Sequence, residues 1–211
     1  MTNETRALEP RSARDARSTR DGILDAAARL MHVKGYNATS VDDVLRESVV
    51  GKGNFYYHFK SKEALCYAII DRVVRSFLER TLEPSFVDTD RDPVARIHGF
   101  LDRVLDNLRQ RNCAGGCPIG NLASELSDVH EGFRLRLAEI FVQWRAALAR
   151  SLREGQASGL LSGACNPEGA AHFLVASVEG AILMSKVTKD ITVMEQCVDE
   201  LKRHLTLYSR S

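Results

Sequence analysis

Apolar residues in this chain recur at helical spacing almost from end to end. No segment alternates with the period of two that marks a half-buried strand. Ile23, Leu24, Ala27, Leu30 and Met31 form one such stripe, and Val94, Ile97, Leu101, Val104, Leu105 and Leu108 form another. Helices with one apolar stripe bury it against other helices, so the fold class is all-α. The punctuation agrees. Ser40 followed by Asp43 reads as a capping box, and Asp92-Pro93 and Asn166-Pro167-Glu168 as capped helix starts. The pattern predicts a helix from Ser18 or Thr19 to Gly35, a short one from Val41, and a third over 52–58. A fourth runs from Ser61 to just before Pro84, and a fifth starts at Pro93. The rest cover 119–126, 131–154, 167–186 and 191–208. Residues 1–17, polar and arginine-rich, read as a disordered basic arm.

No run approaches about 18 consecutive apolar residues, so no membrane span is expected. The arginine-rich start lacks an apolar signal core, which predicts a cytoplasmic protein. Five cysteines, an odd count, do not suit a disulfide scaffold. The even overall charge hides an asymmetry. Residues 1–62 hold 11 Lys/Arg against 8 Asp/Glu, and residues 63–211 hold 18 against 20. This is a mild sign of an anion-facing front end and decides little alone.

Three short helices in the first 60 residues, two of them joined by the tight turn Ser48-Val49-Val50, make a helix-turn-helix pattern. The third helix carries its chemistry. Gly51, Lys52, Gly53 and Asn54 are small or basic and permit close approach to a duplex. Tyr56, Tyr57, His58, Lys60 and Lys62 follow, able to bond or neutralise phosphates. Phe55 and Phe59 suit the inner face. Tyr56 fits either side, and Tyr57 and His58 are read as facing DNA.

The run over residues 50–65, VGKGNFYYHFKSKEAL, resembles the signature of the tetracycline-repressor (TetR) family, and so do Gly35-Tyr36, Thr39 and Val41. The resemblance covers roughly residues 18–68. It implies an 18–62 DNA-binding domain with Lys52, Gly53 and Asn54 near bases and Tyr56, Tyr57, His58 and Lys62 on phosphates. Residues 63–211 then become a helical ligand-sensing and dimerisation domain, and the function a repressor released from a palindromic double-stranded DNA operator by a small-molecule or reactive inducer. Arg11, Arg14 and Arg17 would reach the DNA backbone or minor groove on charge alone. Two departures stand out. The family usually has glycine where Val49 stands, and often serine where Gly51 stands.

The resemblance implies a homodimer through two late helices, here within residues 167–208. Phe173, Leu174, Ala176, Ser177, Gly180, Ala181 and Met184 set small residues beside large ones, which suits close packing between subunits, and the bland alternative is an ordinary buried helix. The segment from Cys113 to Ala123 resembles a glycine-cysteine-x-x-glycine-asparagine-leucine stretch of one TetR subgroup that includes regulators of reactive-electrophile responses. Cys117 is the matching cysteine. A low-pKa thiol in an exposed loop before a helix would react there, and the bland alternative is a small buried hydrophobe. Phe100, Val104, Leu122, Phe133, Leu137, Trp144, His172 and Glu179 are the further candidates for lining a ligand cavity, each of them open to a plain core role. Cys113, Cys117 and His130 fit no standard zinc spacing, so neither metal nor cofactor is expected. Phosphate loops, dinucleotide fingerprints and nucleophile elbows are missing, and the chain is not read as an enzyme. The rivals are a cytosolic thiol-based redox enzyme, for which the cysteine pair lacks the two-residue spacing, and a helical interaction protein, which would need no basic aromatic helix.

Overall fold

In a computed structural model, the structure describes residues 11–88 and 90–209, with side chains from residue 17 onward. Ten α-helices run through them: α1 (Arg11–Lys34), α2 (Val41–Ser48), α3 (Lys52–His58), α4 (Lys62–Phe77), α5 (Glu83–Phe86), α6 (Pro93–Gln110), α7 (Pro118–Leu126), α8 (Glu131–Ala157), α9 (Pro167–Thr188) and α10 (Ile191–Thr206). Among the described residues there is no strand, only an isolated bridge between Leu161 and Ser209. The all-α expectation holds.

Local chemistry accounts for most borders. The Ser40 hydroxyl accepts from the Asp43 backbone N–H at 3.0 Å, and Asp43 Oδ2 accepts from the Ser40 N–H at 3.0 Å, the two halves of the predicted capping box. The Ser40 N–H and, at 2.8 Å, the Ser40 hydroxyl both donate to Asp43 Oδ2 and hold its carboxyl below its usual range. Asp92 caps α6 ahead of Pro93, and Asn166 caps α9 ahead of Pro167. Two expectations need correction. The first helix begins at Arg11 rather than near Ser18, so the arm read over 1–17 is helical from Arg11; residues 1–10 lie outside the described residues. The fourth helix does not stop before Pro84. A π-helical turn, Leu78–Leu82, follows α4, and Glu83 N–H donates to the Leu78 carbonyl five residues back. Pro84 brings no N–H and its ring would crowd the carbonyl four residues earlier. A widened turn just ahead of it lets the helical path continue into α5.

The chain divides into two compact units that part between Ile69 and Ile70, inside α4. That is later than the boundary expected after Lys62, because Leu65, Cys66 and Ile69 at the start of α4 are buried and group with the first unit. In the first unit α1 packs on α2 and α3. Ile23, Leu24, Ala27, Met31, Val44, Phe55 and Phe59 are its core. In the second unit α6, α8, α9 and α10 pack around Leu101, Leu108, Trp144, Leu148, Val178 and Leu201. Arg96, almost wholly buried there, pairs with Glu154.

Among the described residues only α9 is long and apolar enough, by length and composition, to cross a bilayer. Glu168, Glu179 and Lys186 interrupt its apolar residues, so it holds no uninterrupted apolar run of that length.

Candidate functional site

The first unit presents one face of α3. Phe55 is fully buried and meets Phe59 with ring centres 6.0 Å apart, so the helix is pinned from within. Lys52, Gly53 and Asn54 are exposed, as are Tyr56 and Tyr57. Tyr56 falls on the outer side, where the sequence was ambivalent, although its ring still touches Phe55 edge-on at 5.2 Å. His58 is half-buried against Tyr57, 4.9 Å between ring centres. Lys60 Nζ donates to the Tyr56 carbonyl at 3.2 Å. Lys62 is half-buried, with Nζ 4.2 Å from the centre of the Tyr36 ring and 3.5 Å from the Asn37 carbonyl. It is an anchored cation rather than a swinging one. Nothing would meet a side chain placed on Gly53. The fold itself gives no reason for glycine in that helical position, where it costs about 1 kcal/mol relative to alanine.

Val49 takes the left-handed conformation, φ 55° and ψ 36°, and its N–H donates to the Leu45 carbonyl. The turn thus keeps the geometry that glycine would adopt freely, with a β-branched residue in it. Gly51 is the N-cap of α3 and makes no side-chain cap bond, the missing hydroxyl noted above.

In the second unit a cavity of about 210 Å³ lies between the N-terminal half of α7 and the middle of α9, lined by Gly116, Cys117, Asn121, Glu179, Gly180 and Lys186 among others. Cys117 is the N-cap of α7, and its sulfur accepts from Gly120 N–H at 3.4 Å. The loop before it is tied down rather than open. Asn121 Nδ2 donates to the Gly115 carbonyl at 2.7 Å, Arg111 donates to the Gly116 carbonyl at 3.1 Å, and Lys186 Nζ donates to Asn121 Oδ1 at 3.3 Å. The thiol is half-buried and lines the cavity together with Glu179. Burial first, and the Glu179 charge second, push its pKa above the ordinary thiol value. This corrects the expected low-pKa thiol in an exposed loop, because the helix terminus is outweighed by desolvation and a carboxylate neighbour. Burial likewise raises the Glu179 carboxyl. Cys113 is buried in the core and does not line the cavity.

The other ligand candidates are dispersed. Phe100, Val104 and Trp144 sit in the α6–α8 core, where Trp144 meets Phe77 at 5.1 Å and Phe100 at 5.6 Å with its indole N–H unpartnered. Phe133 stacks on His130 at 3.9 Å, and Leu137 and Leu122 are buried. His172 is exposed at the start of α9, bonded to Arg145 and 2.9 Å from the Glu168 carbonyl. Of the nine, Cys117 and Glu179 line this cavity together. Lys186 and Asn121 were missed because a lysine and an asparagine on separate helices carry no joint signal in sequence. A second groove of about 300 Å³, between α4 and α8, was missed too. It is lined by Asp71, Arg75, Arg136, Glu139 and Gln143, charges that read as solvated. Arg136 bridges Asp71 at 2.7 Å and Glu139 at 2.9 Å across it. Among the described residues no three His, Cys, Asp or Glu side chains stand where they could hold a metal ion.

Comparison with known proteins places this architecture. Residues 23–69 match the family described as bacterial regulatory proteins, tetR family, and residues 93–201 the tetracyclin repressor-like C-terminal domain. The chain belongs to the TetR family of DNA-binding transcriptional regulators. It is 38% identical over 186 residues to an HTH-type transcriptional regulator in the lacX 3' region of Lactococcus lactis subsp. lactis, covering 88% of this chain and 92% of that one. It is 31% identical to the HTH-type transcriptional repressor DhaR of Mycobacterium sp. strain GP1, covering 84% and 87%. A solved TetR transcriptional regulator from Chloroflexus aurantiacus superposes with a TM-score of 0.85 at 28% identity, covering 93% and 98%. Repression relieved by ligands, by proteins that act as dimers, is typical of the family.

Proposed function

We propose that this regulator is a cytoplasmic homodimer that represses by holding a pseudo-palindromic operator with α3, and that a small or reactive inducer entering beside Cys117 releases it. It acts by binding rather than by turnover. The observation that carries the DNA reading is the outer face of α3, where Lys52, Gly53, Asn54, Tyr56 and Tyr57 are all exposed while Phe55 anchors the helix from behind. A side-chain set of this kind reads bases with its first few residues and phosphates with the rest. The first unit, which ends at Ile69, carries this role and the second the sensing and pairing.

The pairing face is α9 with α10. Phe173, Leu183, Met184 and Val187 are about half exposed or more. They recur at helical spacing around Gly180, where a side chain would meet nothing. A second copy is the occupant the family reading supplies. Gly180 and Leu183 also line the Cys117 cavity. Filling or modifying that cavity therefore alters the pairing face, and with it the relation of two DNA-binding units in a dimer.

The test is a gel shift and footprint on DNA flanking the gene, with and without an electrophile or hypochlorous acid. Wild type releases its operator on treatment and Cys117→Ser does not. Equal release by both removes Cys117 and leaves a non-covalent ligand as the inducer.

A further inference from the structure

Two kinds of cation stand on the first unit. Arg29 pairs with Glu47 at 3.4 Å, and Arg46 pairs with Asp43, whose carboxylate Lys34 also faces. Around α3 the cations rest on neutral groups instead. Lys60 lies on the Tyr56 carbonyl, and Lys62 on the Tyr36 ring and the Asn37 carbonyl. Arg20, exposed on α1, holds its guanidinium carbon 5.1 Å from the centre of the Phe59 ring. Among the described residues none of these three is ion-paired. Phe59 is itself fixed. It is buried, it is the C-cap of α3, and its N–H donates to the Phe55 carbonyl. Arg20 therefore stands at the C-terminal end of the helix whose other end presents Lys52, Gly53 and Asn54.

The geometry points to Arg20 as a DNA-backbone contact, seated on Phe59 so that its donors meet a phosphate beside the groove that α3 enters. This rests on the reading of α3 as the groove-facing helix. An arginine paired with a carboxylate must give up that pair to reach a phosphate. An arginine stacked on a ring engages only the face of its guanidinium, and the N–H donors project from the rim toward an oxyanion. The ring also restricts the side chain before DNA arrives, so less freedom is lost on contact. A guanidinium held in this way can meet a phosphate with charge-assisted bonds. Such a contact positions the protein on the duplex and carries no base information. It makes α1 part of the DNA-binding surface as well as the packing support of α2 and α3.

Fluorescence anisotropy with a labelled random-sequence duplex, over a series of salt concentrations, tests this on the full-length protein. Arg20→Gln keeps much of the side chain and loses the charge. It is expected to shrink the salt slope by about one unit per bound subunit and to weaken binding about tenfold at about 0.1 M salt. Arg20→Lys keeps the charge and restores the slope. Arg29→Gln removes the same charge from a paired site and leaves the slope as in wild type. A thermal melt checks that each variant is folded. If Arg20→Gln melts lower but keeps the wild-type slope, Arg20 only covers Phe59 and opposes the negative end of α3, and the proposal is wrong. A slope that Arg29→Gln shrinks as much, or that Arg20→Lys fails to restore, overturns it too. Lys52→Ala and Lys62→Ala are measured alongside. If neither they nor Arg20→Gln change the slope, the reading of α3 itself falls. If they shrink it and Arg20→Gln does not, only Arg20 is struck from the contacts.

Discussion

At the scale of single residues, Val49 and Cys117 each have a consequence for stability. Val49 stands where the family usually has glycine and still keeps the left-handed turn, whereas Cys117 matches the resembled stretch and caps α7. Val49 holds a left-handed turn that costs an L-residue roughly 1–2 kcal/mol, and it is 91% exposed, so packing offers no return. Val49→Gly relieves that strain but frees the unfolded chain. Val49→Asn tolerates the conformation with less entropy lost. Both are expected to raise stability by about 0.5–1 kcal/mol in urea unfolding, Asn no less than Gly. A drop would mean that the valine makes a contact in solution. For Cys117 the raised thiol pKa has a stability consequence. The folded state keeps its proton at a pH where the unfolded thiol releases it. Stability therefore holds below the ordinary thiol pKa and declines above about pH 8.5, by at most about 1.4 kcal/mol per pH unit from this group. Cys117→Ser should flatten that part of the alkaline slope in denaturant titrations run from pH 7 to 10.

At the scale of elements, α3 is seven residues long and owes its order to Phe55 and Phe59 rather than to propensity. Gly53 lies in it with open space around it. Gly53→Ala is expected to stabilise the first unit by about 0.5–1 kcal/mol and to weaken operator binding, because the added methyl stands where DNA must approach. Stabilisation without weaker binding would move the DNA contact elsewhere on the helix. Asn54→Ala should cost about 1–3 kcal/mol on the operator if its amide reads a base, and little on random DNA. Loss on both alike would reassign Asn54 to positioning. Lys62 is anchored over Tyr36, which presents its charge in a set place. Lys62→Ala should weaken all DNA alike and reduce the salt slope by about one unit. An unchanged slope removes it from the phosphate contacts.

At the scale of the whole molecule, the proposed dimer makes the exposed apolar face of α9 the surface that governs assembly. Phe173→Glu with Val187→Glu places two charges on it and none in the core, since both residues are exposed. Sedimentation is expected to show a monomer that has lost operator affinity by orders of magnitude, because a single DNA-binding unit grips only half a site. A variant that stays dimeric would put the pairing surface elsewhere. The same face explains why α9 is apolar enough to pass for a membrane span. Its two apolar sides serve the core and, in the proposed dimer, a second copy.

Most elements and their order were legible in the sequence, apart from the start of α1 and the π-helical turn and α5 after α4. Caps such as Ser40–Asp43, Asp92 and Asn166 act within one turn, so their residues state the border outright. The inward and outward faces of α3 were also legible, because helical period sorts Phe55 and Phe59 from Tyr57. Tertiary structure decided what depends on residues far apart in the chain. It joined Cys117 to Glu179 and Lys186 across two helices, and left Phe100, Trp144 and Phe133 in ordinary core. It reversed the expected direction of the Cys117 pKa, since burial and a carboxylate from another helix outweigh the local effect of a helix terminus. It also carried the helical path past Pro84 through a π-helical turn, where local rules alone read a stop.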